Sequence, residues 1–80
     1  MNTKQAVAAR IIELCDKMAI ATNALANIAG VPPSTVYSML NEKSQNPGIV
    51  TIKMLCDGFG ITVLDFFNTK EFKNLDQEIK

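Results

Sequence analysis

Small polar side chains recur at helical spacing in one short stretch, residues 31–41. At about 100° per residue, Ser34, Ser38 and Asn41 share one side of a helix, with Thr35 and Tyr37 at its flanks. The opposite side is apolar and consists of Val36, Met39 and Leu40. The outer side is too polar for a core and has none of the charge of an ordinary solvated face. Its hydroxyl and amide groups suit hydrogen bonding to base edges in the major groove of DNA.

The start of this helix is marked by its prolines. Pro33 suits the first helical position, where the missing N–H has no helical partner to lose. Pro33 also favours extended backbone at Pro32, as a helix N-cap requires. Val31 and Val36 are spaced for a hydrophobic staple across that boundary. The sequence therefore predicts a helix that begins sharply at Pro33.

Other chemistry is poorly represented in the chain. There is no histidine, no nucleophile paired with a base, and no glycine-rich phosphate loop. The two cysteines, Cys15 and Cys56, lie apart among apolar neighbours and are predicted to be buried thiols rather than a zinc site. We therefore expect no catalysis, no metal and no cofactor.

Composition limits the architecture and the partners. Eighty residues with 48% hydrophobic content form one small folded domain. Eight basic and eight acidic residues cancel, so any binding to nucleic acid must depend on where charges lie rather than on their sum. No signal peptide or membrane-length apolar run is visible, which predicts a cytoplasmic protein without a membrane partner.

Apolar periodicity predicts helices over residues 5–18, 22–29, 49–59 and 63–67 around the central one, an all-α fold. Thr22 or Asn23 is expected to cap the second helix, and Thr62 the last. Gly60 is expected to end the fourth helix in a left-handed conformation. The expected core positions of the first and fourth helices are Val7, Ile11, Leu14, Cys15 and Met18, and Ile49, Ile52, Leu55, Cys56 and Phe59.

The second and third helices are separated by a very short link. Gly30 supplies a left-handed residue that ends the second helix, and only Val31 and Pro32 precede the next. So short a link forces the two helices to cross steeply, which is the geometry of a helix-turn-helix.

Residues 1–67 form the predicted domain, and residues 68–80 are a more polar tail. Phe72, Leu75 and Ile79 recur in this tail at helical spacing. Two alternatives stay open: a frayed end or single helical turn laid on the domain, or a dimerisation arm. The candidate dimer surface consists of Val50, Met54, Phe67 and Phe72.

These segments together resemble the Cro/phage-repressor type of helix-turn-helix, the XRE family. The resemblance covers residues 6–67 and is carried by Leu25-Ala26, Ala29 to Val36, Asn46-Pro47, and Ile52 with Leu55 to Thr62. It implies a compact, five-helix, lambda-repressor-like domain. It also implies a bacterial, phage or mobile-element transcription regulator that binds operator DNA as a dimer.

The resemblance assigns functional positions residue by residue. Base-reading positions fall on Pro33, Ser34 and Ser38, with Thr35 and Tyr37 beside them. The pattern of the helix face adds Asn41 and Tyr37 to the predicted base readers and Thr35 to the predicted contacts with the DNA backbone. Thr35 and Tyr37 are expected to hold phosphates or to meet a thymine methyl. Positions for the DNA backbone fall on Thr22, Asn23, Lys43, Ser44, Gln45 and Asn46.

Sequence-specific binding of double-stranded DNA is therefore the leading hypothesis, with repression by operator occupancy and no small-molecule ligand implied. The central helix has no Arg, Lys, Gln or Asn before Asn41, so its strongest bidentate base contacts are missing. A monomer should then bind weakly, and a homodimer is expected on DNA. The alternative is a protein-interaction or antitoxin-like module on the same scaffold.

Overall fold

The computed structural model describes residues 1–41 and 46–79 and contains six α-helices in these ranges. They are α1 (Thr3–Lys17), α2 (Thr22–Ala29), α3 (Pro33–Leu40), α4 (Ile49–Phe59), α5 (Val63–Phe67) and α6 (Lys70–Lys73). No β-strand occurs in the ranges described. The all-α prediction is confirmed.

One apolar cluster holds the helices together. Helix α2 packs against both α3 and α4, while α1 packs against α3. The largest fully buried side chains are Phe66, Ile11, Leu25, Leu55, Val7, Val36 and Cys56. Every described helix except the short α6 contributes a buried residue, so α3 is held from behind by the shared core.

The first helix begins earlier than the periodicity predicted. The Asn2 side chain accepts a hydrogen bond from the Gln5 N–H at 2.8 Å, and the Gln5 side chain accepts one from the Asn2 N–H at 2.9 Å. This capping box starts the helix at Thr3. At the other end Met18 is the C-cap and is 40% exposed, so its prediction as a core residue is wrong.

The corner between α2 and α3 has the predicted geometry. Gly30 takes φ 71° at the end of α2, and the Val31 N–H donates to the Ala26 carbonyl at 3.0 Å. Pro32 is extended, Pro33 is the first helical residue, and Val31 is buried against the core. The break between the two helices is therefore fixed by local backbone preferences.

The predicted cap of α2 is wrong. Ala21 is the N-cap, with no side-chain hydrogen bond, and Thr22 and Asn23 are already helical. The backbone at Ala21 is extended with ψ 151°, so the turn from α1 ends one residue before the first side chain that could cap. The first amides of α2 therefore have no side-chain acceptor at the cap position.

Helix α4 lies close to α2 at a glycine. A Cβ built on Gly58 would lie 3.2 Å from the Ala29 Cβ and 3.3 Å from the Leu25 Cδ1. These distances are tight for carbon atoms, so Gly58 permits the close approach of the two helices. The backbone of Gly58 does not itself need a glycine, since its φ is not positive; the described glycines with a positive φ are Gly30 and Gly60.

The predictions for the two ends of α4 differ in accuracy. Ile49, predicted to be buried, is 61% exposed, because it is the first helical residue and lines an open apolar cavity with Pro47 and Phe67. Gly60 ends the helix with φ 75°, as predicted. Thr62 then caps α5 in a capping box with Asp65, also as predicted.

Arg10 fastens α5 to α1. Its Nε donates to the Phe66 carbonyl at 2.8 Å and its Nη2 to the Asp65 carbonyl at 2.9 Å. The same guanidinium forms an ion pair with Glu13. A cation suits the last carbonyls of a helix, where the dipole is negative. These contacts engage Arg10 in the fold.

The C-terminal segment returns to the start of the chain. Helix α6 is a single turn, and its Phe72 packs against Phe66 and Phe67. Farther along, the Glu78 Oε2 accepts hydrogen bonds from the Thr3 N–H at 2.9 Å and the Thr3 hydroxyl at 3.0 Å. The helix does not continue to Ile79, which is 81% exposed.

Gly30 provides a test of the corner. Replacing it by Ala should lower the free energy of unfolding by about 1–2 kcal/mol, because an L-residue is strained in the left-handed region. Nothing lies within 4 Å of the added Cβ, so strain is the only expected cause. Gly30→Asn should lose less, since Asn enters this region more readily. Urea unfolding of both variants measures the difference, and equal losses would contradict the explanation.

Candidate nucleic-acid interface

The outer face of α3 is solvent-exposed. Pro33, Ser34, Tyr37 and Ser38 lie at adjacent positions on one side of the helix and are all exposed, with Tyr37 at 51%. Val36 and Met39 are buried behind them at 0% and 4% exposure. The structure therefore brings four of the predicted base-reading residues together on one accessible surface.

Asn41 and Thr35 lie at the margins of that surface. Thr35 is half-buried, and Asn41 is the exposed C-cap of α3, with its N–H donating to the Ser38 carbonyl at 3.2 Å. The Asn41 carbonyl accepts a hydrogen bond from the Lys4 Nζ at 2.6 Å. Lys4 thus connects the start of α1 to the end of α3 and helps to fix the orientation of the exposed face.

At the start of α2, only one of the two predicted phosphate-binding side chains is exposed. Asn23 is exposed, but Thr22 is half-buried. Burial raises the pKa of Cys15, the Asp16 carboxylate raises it further, and the Thr22 contact lowers it. Burial likewise raises the pKa of Cys56. Both cysteines are buried free thiols, as predicted.

Side-chain capping divides the described helices into two groups. Helices α1, α5 and α6 are capped by Asn2, Thr62 and Thr69. Helices α2, α3 and α4 follow Ala21, Pro32 and Gly48, and none of the three has a side-chain hydrogen bond at its cap. The first amides of α2 and α4 are thus without a side-chain acceptor at the cap and, with the helix dipole, suit an anion.

The helix-turn-helix is free of charge. Residues 18–41 contain no Asp, Glu, Lys or Arg. On the neighbouring helices, Arg10 contacts carbonyl groups and Lys53 pairs with Asp57. Lys17, the last residue of α1, is exposed next to the charge-free run. This charge-free run is visible in the sequence, and it extends the lack of charge on the central helix to α2 and the corner. Within residues 18–41, the groups that can donate a hydrogen bond to an anion are therefore uncharged ones: backbone amides and side-chain hydroxyl and amide groups.

The remaining predicted backbone contacts lie after α3. Lys43, Ser44 and Gln45 fall outside the described residues. Asn46 is exposed and lines an open cavity with Thr3, Lys4 and Glu78. Its side chain is thus near the lysine that contacts the end of α3.

The candidate dimer surface is only partly exposed. Val50 is 70% and Met54 is 36% exposed. Phe67 and Phe72 are half-buried and pack on each other, with ring centroids 4.8 Å apart. The sequence analysis missed Leu64, which is 83% exposed on α5. Leu64 is the second residue of α5, two positions after the Thr62 cap.

Other kinds of site are not evident in the described part of the chain. Across residues 1–41 and 46–79 no group of three or more His, Cys, Asp or Glu side chains could hold a metal ion. None of the helices described is long and apolar enough to cross a membrane.

Comparisons with known proteins agree with this geometry. A family model for the Cro/C1-type helix-turn-helix DNA-binding domain matches residues 10–71. The crystal structure of the prophage Lp1 protein 11 is similar, with a TM-score of 0.82 and 33% sequence identity. That similarity covers 94% of this chain and 100% of the prophage chain. No curated protein matches the chain.

The outer face of α3 should be dispensable for folding. The double variant Ser34→Ala/Ser38→Ala should change the free energy of unfolding by no more than about 0.5 kcal/mol, because both side chains are exposed. Val36→Ala, on the buried side of the same helix, should lower it by about 2 kcal/mol. Chemical denaturation compares the three proteins. A large loss in the serine variant would mean that these hydroxyls serve the fold.

Proposed function

The chain belongs to the Cro/C1-type helix-turn-helix DNA-binding family, and on that premise we propose that it binds a specific duplex operator and represses transcription by occupying it. The observation that carries this proposal is the exposed, uncharged, hydrogen-bonding face of α3 beside the Gly30 corner. A face of this kind can approach base edges closely, because it has no large charged side chain to desolvate.

Base contacts are proposed for the outer face of α3. Ser34 and Ser38 donate to or accept from base edges, and Asn41 extends that reading at the end of the helix. Pro33 and Tyr37 supply the apolar part of the same surface. Support comes from their shared exposure and from the buried Val36 and Met39, which leave only this side of α3 accessible.

Contacts with the DNA phosphates are proposed to set the position of α3 in the major groove. The first amides of α2 and the Asn23 side chain hold one phosphate. Thr22 contributes through its N–H, because its side chain is half-buried. Thr35 and Asn46 hold further phosphates, and Lys43, Ser44 and Gln45 are assigned to the same task from the sequence.

A low density of free cations makes dimer formation necessary for useful affinity. A monomer with few phosphate contacts gains little from counterion release. Two linked monomers bind two half-sites together and so bind much more tightly. Val50, Met54 and Leu64 form the proposed dimer surface, because these apolar side chains are exposed on α4 and α5.

A second candidate function uses the same apolar surface. In an antitoxin-like module, Val50 and Leu64, at 70% and 83% exposure, would contact a different protein instead of a second copy. The two functions differ in what α3 does: the interaction module has no need for sequence-selective DNA binding. Selection of bound duplexes therefore separates them.

The salt dependence of binding tests the proposed phosphate contacts. After selection of an operator from random duplexes, log K against log salt should have a slope of about −2 to −4, reflecting few neutralised phosphates. Lys43→Gln should make this slope shallower by about one unit per subunit. Fluorescence anisotropy at several salt concentrations provides the measurement.

Lys73→Gln is the matched control, because it removes an exposed lysine from α6. It should leave the slope unchanged. A slope steeper than about −6 would contradict an amide-based phosphate interface. Failure to select any duplex over random DNA would remove the DNA-binding proposal and favour the interaction module.

Disrupting the proposed dimer surface should weaken binding to the full operator without changing how each monomer binds a half-site. Val50→Asp should lower affinity for a two-half-site operator at least tenfold and leave binding to a single half-site unchanged, because only the link between monomers is lost. Ile12→Asp, at another exposed apolar position (49% exposed), should affect neither. Sedimentation of the complexes gives the stoichiometry. Equal affinity of the Val50 variant and the parent for the full operator would exclude this surface.

A further inference from the structure

The outer face of α3 combines polar groups with a large apolar area. Pro33 and Tyr37 are exposed beside Ser34 and Ser38, and these four are the exposed residues between the first and last residues of α3. Tyr37 is the only tyrosine in the chain, and it is 51% exposed. In contrast, three of the four phenylalanines, Phe66, Phe67 and Phe72, pack on one another. An apolar contact is therefore available on α3 for a bound ligand.

The chemistry of the four bases selects one of them as the match. Guanine is read best by Arg or Lys, adenine by Asn or Gln, and cytosine by a carboxylate. The face of α3 before Asn41 has none of these groups. Thymine alone presents an apolar group in the major groove, its C5 methyl, and apolar side chains contact it.

We propose that this chain recognises thymine-containing half-sites through their C5 methyl groups, with Pro33 and Tyr37 as the specificity-determining residues. The inference rests on the DNA-binding function proposed above and adds the base that the central helix reads. The small Ser34 and Ser38 side chains keep the helix close to the bases, so that the pyrrolidine and phenol rings reach the methyl groups. Their hydroxyls accept or donate at any base and do not alone select one.

The free-energy scale of a buried methyl group sets the expected effect. Removing one methyl from a contact with apolar side chains should weaken binding about fourfold, which corresponds to about 0.8 kcal/mol. Loss of methyl groups from several positions in both half-sites should multiply, provided that the positions are well separated.

Replacement of thymine by uracil in the selected operator isolates this effect. Uracil keeps every hydrogen-bonding group of thymine and lacks only the methyl. We expect about a fourfold loss of affinity at two or more positions of each half-site. A second operator carries cytosine in place of the contacted thymines. Replacing these cytosines by 5-methylcytosine should restore part of the affinity, because the methyl group returns while the hydrogen-bonding groups of cytosine stay the same.

Two variants assign the effect to α3. In Tyr37→Ser and in Pro33→Ala, the ratio of affinities for thymine and uracil operators should fall toward one at the contacted position. Ile12→Ser removes an exposed apolar side chain from α1 and should leave the ratio at its parent value. Thermal unfolding of each variant confirms that it is folded, and the ratio is insensitive to a uniform loss of affinity.

Each outcome decides a different statement. Selective binding with equal affinity for thymine and uracil operators at every position would overturn the methyl inference and leave the DNA-binding proposal intact. A uracil effect that persists unchanged in both variants would overturn the assignment to Pro33 and Tyr37. Absence of any selective duplex would overturn the proposed function and this inference with it.

Discussion

A single left-handed residue, Gly30, determines how the two central helices meet. It ends α2 with φ 71°, and the prolines that follow set an extended residue and then a helical one. The Val31 side chain is buried beside this turn, so the corner is fixed from the core as well as by the backbone. The direction of α3, and therefore the exposure of its outer face, follows from these few residues.

Three lysine and arginine side chains make contacts within the fold. Arg10 contacts the last carbonyls of α5, Lys4 contacts the Asn41 carbonyl, and Lys53 pairs with Asp57. The helix-turn-helix itself is uncharged over residues 18–41. A DNA-binding domain of zero net charge is physically reasonable if amides and hydroxyls replace lysines at the phosphates. Such an interface relies less on counterion release and more on shape and apolar contact.

Local signals predicted local structure well. The left-handed glycines, the proline start of α3 and the Thr62 cap each depend on a few adjacent residues, and each was confirmed. The capping box of Asn2 and Gln5 was equally readable but was passed over, because apolar periodicity alone gives poor helix starts. Ile49 was misassigned because periodicity indicates a face and does not indicate where the packing partner of that face ends.

Contacts between distant residues could not be predicted from the sequence. The Glu78 carboxylate reaches Thr3 across almost the whole chain, and Gly58 permits the close approach of Ala29 from another helix. Exposure of Ser34 and Ser38 was predictable from the helix pattern, because Val36 and Met39 define the buried side. Their roles as base readers remain a prediction that rests on family resemblance and on surface chemistry.

The most direct test of the account is a backbone amide chemical-shift map of the isotopically labelled chain as the selected operator is added. The account predicts that the largest shifts occur at residues 34–38 and at the first turn of α2, with small shifts in the middle of α1. If the largest shifts instead fell on Val50, Met54 and Leu64 while α3 stayed unchanged, the outer face of α3 would not be the DNA-binding surface.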